Sequence, residues 1–258
     1  DFRDMGEDAF LLLKDNLLDT FLRKNNFPTK YTASVVKEMV KNKKVNPSAL
    51  FDYLDFDDGF QNTGIYGAEV YRSDDGGKSW KARNVGVRAE FMPDKHPEFG
   101  QCVHKVVNHP SKPERLFLQN HWGLYRSDDW GDSWHDIANG VPSDFGFAMQ
   151  MHPHDPDTVY IVPLESDQFR CTPDAKLRVY RTSDAGKSWE PLSKGLPQSG
   201  AYETVLRDAM TADSADPAGV YFGTRSGKLF GSSDSGDSWT EMADGLPPVV
   251  CVKCAVLS

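Results

Sequence analysis

One eight-residue pattern occurs four times in the chain, and the intervals between its copies restrict the fold. The copies are Ser73–Trp80 (SDDGGKSW), Ser127–Trp134 (SDDWGDSW), Thr182–Trp189 (TSDAGKSW) and Ser232–Trp239 (SSDSGDSW). Their tryptophans are 54, 55 and 50 residues apart. A period of this length is typical of stacked supersecondary units and not of one continuous core.

The shared pattern, [ST]-x-D-x-G-x-S-W, predicts a tight hairpin. Its hydroxyl and carboxylate groups can accept hydrogen bonds from the N–H groups of the turn. Its glycine supplies a positive φ, and its tryptophan is expected to turn inward between neighbouring sheets. We therefore assign a structural role to Ser73, Asp75, Gly77, Trp80, Ser127, Asp129, Gly131, Trp134, Thr182, Asp184, Gly186, Trp189, Ser232, Asp234, Gly236 and Trp239.

Each copy lies in a longer repeat that predicts four strands. A strand ending in Tyr-Arg or its equivalent comes before the pattern, and a short strand and a Gly-apolar stop follow it, as in Gly140-Val141-Pro142. Upstream lie two segments with alternating apolar positions, joined by a turn that contains proline, as in 102–113 and 115–119. A radial array of four-stranded sheets accommodates such repeats, so the expected class is all-β.

These residues resemble the Asp box, or BNR repeat, of sialidase-like and sortilin-like β-propellers. The resemblance implies a propeller in which each box joins the third and fourth strands of a blade. Residues 73–258 are similar to the C-terminal half of a bacterial sialidase-like BNR family, with segments such as GQCVHKVVNHP and HPHDPDTVY. Residues 1–84, with NPSALFDYL, are more similar to a sortilin-like BNR group of glycosyl-hydrolase type. The two resemblances meet at the first box, so a truncated or recombined chain is one interpretation.

The first sixty residues differ from the repeats. Segment 7–25 has apolar residues at helical spacing, segment 32–41 repeats this more weakly, and Asn46-Pro47-Ser48 is typical of a helix start. The sequence therefore predicts a short helical segment at 1–60 and propeller blades at 61–258.

The number of strands predicts about four blades, of which three are complete and one has only its outer strands. The apolar tail, 249–257, is predicted to form an inner strand, which could pair with the 66–84 hairpin and partly complete the first blade. If the tail does not pair there, the open edges require a cover. The cover would then be the helices or a second copy of the chain, which predicts a homo-oligomer for an open propeller.

Charge and composition exclude several classes of partner. A formal net charge of −9 argues against nucleic acid, and the chain has no apolar run long enough for a membrane span. No leader peptide is apparent, but the chain begins at Asp1, so an exported origin after processing and a cytoplasmic one both remain open. The four cysteines are too scattered for a disulfide framework and are expected to be buried free thiols. No metal site and no cofactor are predicted.

In a propeller, ligands gather on the axial face opposite the boxes. The loops expected there include 90–98, 120–122, 144–145, 164–174, 201–203 and Arg225. Charged and imidazole groups near an axial opening, held by rigid sheets, are where binding residues tend to lie. The predicted ligand-binding residues are His104, His121, Glu165, Asp167, Arg170, Arg207 and Asp208.

Two functions remain open. The first is a non-catalytic binding or scaffold module whose ligand is a glycan or a protein loop. The alternative is a sialidase-like glycoside hydrolase, which requires an arginine trio and a Tyr–Glu pair. Arg88, Arg170, Arg207 and Arg225 could supply the trio, but the Phe/Tyr-Arg-Ile-Pro signature is missing. Tyr202 and Glu203 are neighbours on a probable strand and should face opposite ways.

Overall fold

The computed structural model describes residues 69–90 and 92–256, and these residues form β-sheet blades. The predicted helical segment at 1–60 lies outside the described residues. Within the described part, the one helical element is a three-residue 3₁₀ turn, Pro173–Ala175. No helix there has the length and apolar character that a membrane crossing needs.

The fourteen strands form four antiparallel sheets in chain order, which we call blades one to four. Blade one has β1 (Tyr71–Arg72) and β2 (Lys81–Ala82). Blade two has β3 (Val103–His109), β4 (Lys112–Asn120), β5 (Leu124–Ser127) and β6 (His135–Asp136). Blade three has β7 (Gly146–Met151), β8 (Val159–Pro163), β9 (Val179–Thr182) and β10 (Glu190–Leu192). Blade four has β11 (Met210–Ala212), β12 (Val220–Gly223), β13 (Leu229–Ser232) and β14 (Thr240–Ala243).

The strands of each complete blade pair with their neighbours in sequence, as in a meander. The predicted all-β class and the four-strand repeat are confirmed. The first strands β3, β7 and β11 lie side by side from blade to blade. Buried side chains fill the space between sheets: Phe117, Met149, Ile161 and Trp189 pack between blades two and three. The core of this protein therefore lies between blades.

Each box joins the third and fourth strands of its blade and forms an internal hydrogen-bond network. In blade two, the Ser127 hydroxyl donates to Asp129 Oδ1 (2.7 Å) and accepts from Gly131 N (2.8 Å). The backbone N–H and the hydroxyl of Ser133 donate to the two Asp129 carboxylate oxygens, at 2.9 and 2.6 Å. The other three boxes repeat these bonds. Three side chains thus bind several N–H groups of their own turn. A further N–H of the turn donates to the segment that joins the first two strands, as Trp130 N does to Glu114 O (3.0 Å).

The turn of each box is left-handed at two successive positions. Its glycine has a φ between 85° and 94°, and the residue before it is also at positive φ, even where that residue is Trp130, Ala185 or Ser235. In three blades the carbonyl of this preceding residue accepts a bond from an arginine of the previous blade. Arg126 donates to Ala185 O (2.7 Å), for example, and Arg181 donates to Ser235 O (2.8 Å). The unusual backbone conformation therefore serves the contact between blades.

The box tryptophans of blades two to four wedge against the previous blade. Their exposed fractions are between 4% and 9%. The indole N–H of Trp134 donates to Arg83 O (2.8 Å), and that of Trp189 donates to Ile137 O (2.7 Å). Each ring therefore lies at the end of the last strand of the previous blade. Burial of an indole of this size is a large favourable contribution to the joint.

Trp80 is the exception, and the prediction that its ring turns inward is wrong. Its exposed fraction is 62%. The other three rings rest on the fourth strand of the blade before them, and no such strand precedes blade one among the described residues. The ring therefore has nothing equivalent to pack against.

The glycine of the Gly-apolar stop lies against the box tryptophan of the next blade, at the same contact between blades. Gly195 has a φ of 88°, and a Cβ placed on it would lie 2.0 Å from the backbone oxygen of Trp239 in the next blade. Gly86 has the same relation to Trp134 O, at 2.3 Å. Gly245 ends blade four at a φ of 76°, and its Cβ would meet nothing within 4 Å. The stop glycine thus permits a backbone approach that a side chain would block.

The described part of the tail, up to residue 256, bonds to blade four, so the first of the two alternatives, pairing with blade one, does not hold there. The predicted inner strand is reduced to one isolated bridge. Cys251 forms a parallel bridge with Asp208, at the inner edge of blade four, and Val252 N donates to Asp208 O (2.9 Å). Val249 N donates to Thr224 O (3.0 Å). After β14 the chain turns back along blade four, because the N–H groups of Val249 and Val252 donate to carbonyl oxygens of that blade. Blade one keeps two strands among the described residues.

Gly195→Ala should destabilise the fold more than Gly245→Ala. Both substitutions place a methyl group at positive φ, which costs about 1–2 kcal/mol. Only the Gly195 methyl also overlaps a backbone oxygen, which adds about 1–3 kcal/mol of strain. Urea unfolding of both variants measures the difference. An equal loss in the two variants would contradict the proposed blade joint.

The box carboxylates make stability depend on pH in the acid range. Desolvation alone would raise the pKa of Asp129, but the bonds from Ser133 and Ser127 outweigh it and lower the pKa from 3.8 to about 2. The unfolded chain therefore takes up the proton at a higher pH than the folded chain does. The stabilisation is present above about pH 4 and is lost as the pH falls toward 2.

Urea unfolding at several pH values checks this with Asp129→Asn. The variant should be less stable than the wild type at pH 7, and the gap should narrow as the pH falls from 4 to 2. A gap that stays constant over this range would show that the Asp129 carboxylate does not contribute through its charge.

Candidate functional site

The loops at the end of the blades opposite the boxes form a continuous belt. The β4–β5 loop and the crossings between blades lie at this end, because the boxes and the first-to-second-strand turns occupy the other end of the same antiparallel strands. Asn120 Nδ2 donates to Arg88 O (2.7 Å), and Gln119 Nε2 donates to Asp144 O (2.9 Å). Further along, Thr172 N donates to Glu203 O and Arg225 N donates to Thr204 O, both at 3.0 Å. These bonds tie the loops of blades two to four together.

Two histidines and two phenylalanines form a compact cluster beneath the belt. His104, on β3, lies with its ring centroid 4.7 Å from that of Phe147, on β7. His121 follows β4, and its ring lies 5.4 Å from His104 and 5.1 Å from Phe145. Only 6% of His104 and 4% of His121 is exposed. The cluster is therefore a buried group of aromatic rings that contains two imidazoles.

His104 is held in one tautomer. Its Nδ1 lies 2.6 Å from Gly146 O, and a carbonyl oxygen only accepts hydrogen bonds, so Nδ1 carries the proton. Burial, with smaller contributions from the nearby Arg207, His121 and Arg170, lowers the pKa of His104 to about 3, although the bond to Gly146 opposes the shift. The ring is neutral at pH 7, and its Nε2 is an acceptor.

Two arginines from different blades share one aromatic ring. The guanidinium carbon of Arg207 lies 4.8 Å from the centroid of Phe147, and that of Arg170 lies 5.7 Å from it. Both arginines are exposed residues, whereas the ring is buried. Arg170 belongs to the 164–174 loop. A hydrogen bond from the Thr204 hydroxyl to Arg170 O holds this loop against the segment that leads into blade four. Stacking on an aromatic face holds a cationic side chain in place.

The predicted binding residues divide into three groups. His104, Arg170 and Arg207 contact Phe147, His121 packs on His104, and Asp167 Oδ2 lies 3.4 Å from His121 Nε2. Asp208 pairs with Lys105 (2.6 Å), and this contact links blade four with blade two. The Glu165 side chain is exposed, and its backbone carbonyl accepts the Ser143 hydroxyl. Ligand binding by these seven residues remains a prediction.

Several residues of this cluster were not predicted. Phe145 and Phe147 look like ordinary core residues in the sequence, and only their neighbours show that they line a site. Cys102 was interpreted as a buried thiol, but it is half-buried and its Sγ lies 3.7 Å from His104 Nε2. The usable signal was the Cys-x-His spacing, which puts both side chains on one face of an extended strand. The prediction of burial is also wrong for the other cysteines: Cys251 is exposed, and Cys171 and Cys254 are half-buried.

The residues considered for a hydrolase are arranged differently. Tyr202 is 72% exposed and Glu203 is 5% exposed, so the two side chains face opposite ways, as expected. The Glu203 carboxylate accepts the Ser226 hydroxyl (2.5 Å) and lies 3.7 Å from Lys228 Nζ. Arg88 pairs with Asp144 (2.7 Å), whereas Arg170 and Arg207 lie over Phe147.

The repeated blades and their boxes define an Asp-box β-propeller. Residues 68–196, half of the 258, match the Sortilin-Vps10 family model, described as sortilin, neurotensin receptor 3. The chain belongs to this family. The matched range spans the first box, where the two resemblances found in the sequence meet.

Similar proteins include two fungal vacuolar protein sorting/targeting proteins 10. The one from Verticillium alfalfae is 29% identical over 104 residues, which cover 38% of this chain and 6% of the relative. The one from Colletotrichum graminicola is 31% identical over 74 residues, covering 29% of this chain and 4% of the relative. The chain therefore spans only a small part of these relatives. Among solved structures, an ancestral GH74 enzyme matches with a TM-score of 0.49 and 17% identity, over 69% of this chain and 22% of that one.

Proposed function

We propose that this propeller is a non-catalytic binding module, and that its axial face, opposite the boxes, binds a protein segment carrying a carboxylate. The observation that supports this most is the pair of exposed arginines, Arg170 and Arg207, stacked on one buried ring. Two guanidinium groups from different blades offer a planar array of N–H donors that suits a carboxylate. They form a local cationic patch on a chain whose net charge is −9.

The surroundings of the arginines favour a protein ligand. Phe169 and Tyr202, which flank the two loops that carry the patch, are largely exposed. Exposed aromatic side chains beside arginine are typical of surfaces that bind proteins. The family description as a receptor, and the relatives' names as sorting/targeting proteins, agree with a binding role. A glycan is the other ligand class that this patch could bind.

A sialidase-like glycoside hydrolase is the second candidate. The arginine pair favours it too, because a sugar carboxylate would need the same donors. Against it, Tyr202 and Glu203 face opposite ways, and Glu203 is engaged by Ser226 and Lys228. A Tyr nucleophile and an assisting Glu must instead meet at one reacting atom.

Binding to a synthetic peptide array tests the proposal. The probe peptides alternate aspartate or glutamate with leucine or tyrosine, and each has a partner peptide in which asparagine or glutamine replaces the acids. We expect the acidic peptides to bind the wild type. Arg170→Ala and Arg207→Ala should each weaken binding about tenfold or more, because a charge-assisted bond contributes about 1.5–3 kcal/mol. Lys187→Ala, an exposed cation in a box at the opposite end, is the matched control.

The same variants separate the two candidate functions. Turnover of a fluorogenic sialoside or another aryl glycoside that both arginine substitutions abolish would overturn the binding module and establish the hydrolase. A signal on a glycan array, without turnover and without peptide binding, would keep the axial site but assign it to a sugar.

A further inference from the structure

Three side chains with metal-binding atoms meet where blade two faces the axis. Cys102, His104 and His121 each offer one such atom, and these atoms lie within 4.8 Å of one another. Cys102 directly precedes β3, and His104 lies at a register shift in that strand, between Val103 and Lys105. His121 is brought beside them by the backbone, because its N–H donates to Cys102 O (2.8 Å). The grouping therefore rests on the irregular start of β3 and on this backbone bond.

One of the three donors, His104 Nε2, is already in the tautomer that a metal requires. Since Nδ1 of His104 donates to Gly146 O, its Nε2 lone pair is directed away from that bond, and Nε2 lies 3.7 Å from Cys102 Sγ. Metal-binding histidines almost always donate their second N–H to a carbonyl or carboxylate, which fixes the tautomer and the ring orientation. Gly146 O fills that role here.

The Cys102–His104 separation already fits tetrahedral coordination. A Zn–S bond of about 2.3 Å and a Zn–N bond of about 2.0–2.1 Å, at a tetrahedral angle, put sulfur and nitrogen about 3.6 Å apart. The observed 3.7 Å matches this without any movement of the strand. A borderline-soft cation such as zinc accepts mixed thiolate and imidazole ligands.

A carboxylate lies beside one of the three donors, outside the group of atoms within 4.8 Å, and a shift of its loop would bring it in as a fourth ligand. Asp167 Oδ2 is 3.4 Å from His121 Nε2, on the 164–174 loop. Arg170 and Arg207 are the nearby cations, and they lie over Phe147, which also packs on His104. A thiolate and a carboxylate would together balance the two positive charges of the ion, so these arginines would face a neutral centre.

We propose that Cys102, His104 and His121, with Asp167 as the fourth ligand, form a zinc-binding site in the axial cluster. Binding replaces the thiol proton of Cys102 with the metal, so one proton leaves to solvent for each thiolate–zinc bond formed. The sequence alone predicted no metal site. This cluster was hidden because His121 lies 17 residues beyond His104 in the sequence.

Cobalt substitution tests the site. The full chain is treated with a chelator and titrated with Co²⁺, which reports a thiolate ligand by a charge-transfer band in the near ultraviolet and a tetrahedral site by visible bands. We expect one ion per chain, displaced by one equivalent of Zn²⁺. Cys102→Ser should abolish the charge-transfer band, and His121→Gln should weaken binding at least about tenfold.

The tail cysteines provide the control. The double variant Cys251→Ser, Cys254→Ser removes both thiols of the tail and should leave the cobalt spectrum unchanged. Circular dichroism verifies that every variant is folded. No stoichiometric cobalt band in the wild type would overturn the proposal, and so would a band that survives Cys102→Ser. Peptide binding is not a readout here, so failure of the zinc site and failure of the proposed binding function are distinguishable.

Discussion

The joint between consecutive blades is the interaction on which the rest of the structure depends. The hydroxyls and the carboxylate of a box bind its own turn, but among the described residues its tryptophan is buried only where a previous blade with a fourth strand is present. Trp134 and Trp189 donate to backbone oxygens of the blade before them, whereas Trp80 stays 62% exposed. Stability is thus added joint by joint, as expected for a repeat architecture.

The joints also determine where chemistry can occur. Because β3, β7 and β11 lie side by side, residues far apart in the chain face the same axial space. Lys105 meets Asp208 across 103 positions, and Arg170 and Arg207 reach the same phenylalanine from two blades. A rigid scaffold that presents loop residues in this way is suited to binding. The same space holds the Cys102, His104 and His121 donors.

Local signals made the fold predictable. The Asp129 network spans only residues 127–133, and the positive φ of Gly131 is a property of one turn, so both can be predicted from eight letters. The opposite facing of Tyr202 and Glu203 follows from alternation along an extended segment. The partners of the tail were not predictable, because an apolar strand can pair with any free strand edge. Only the folded chain shows that the tail pairs at Asp208, on the edge of blade four.

The sequence by itself determined the repeat, the four-stranded blade and the hairpin that closes each blade, since all three depend on contacts between near neighbours in the chain. Only the tertiary structure decided which side chains share the axial cluster, that the Trp80 ring is largely exposed, and that Cys102 is a neighbour of two imidazoles. The physical reason is that these contacts depend on how one sheet is rotated and placed against the next. That placement is set by the summed packing of many buried side chains and not by any single motif.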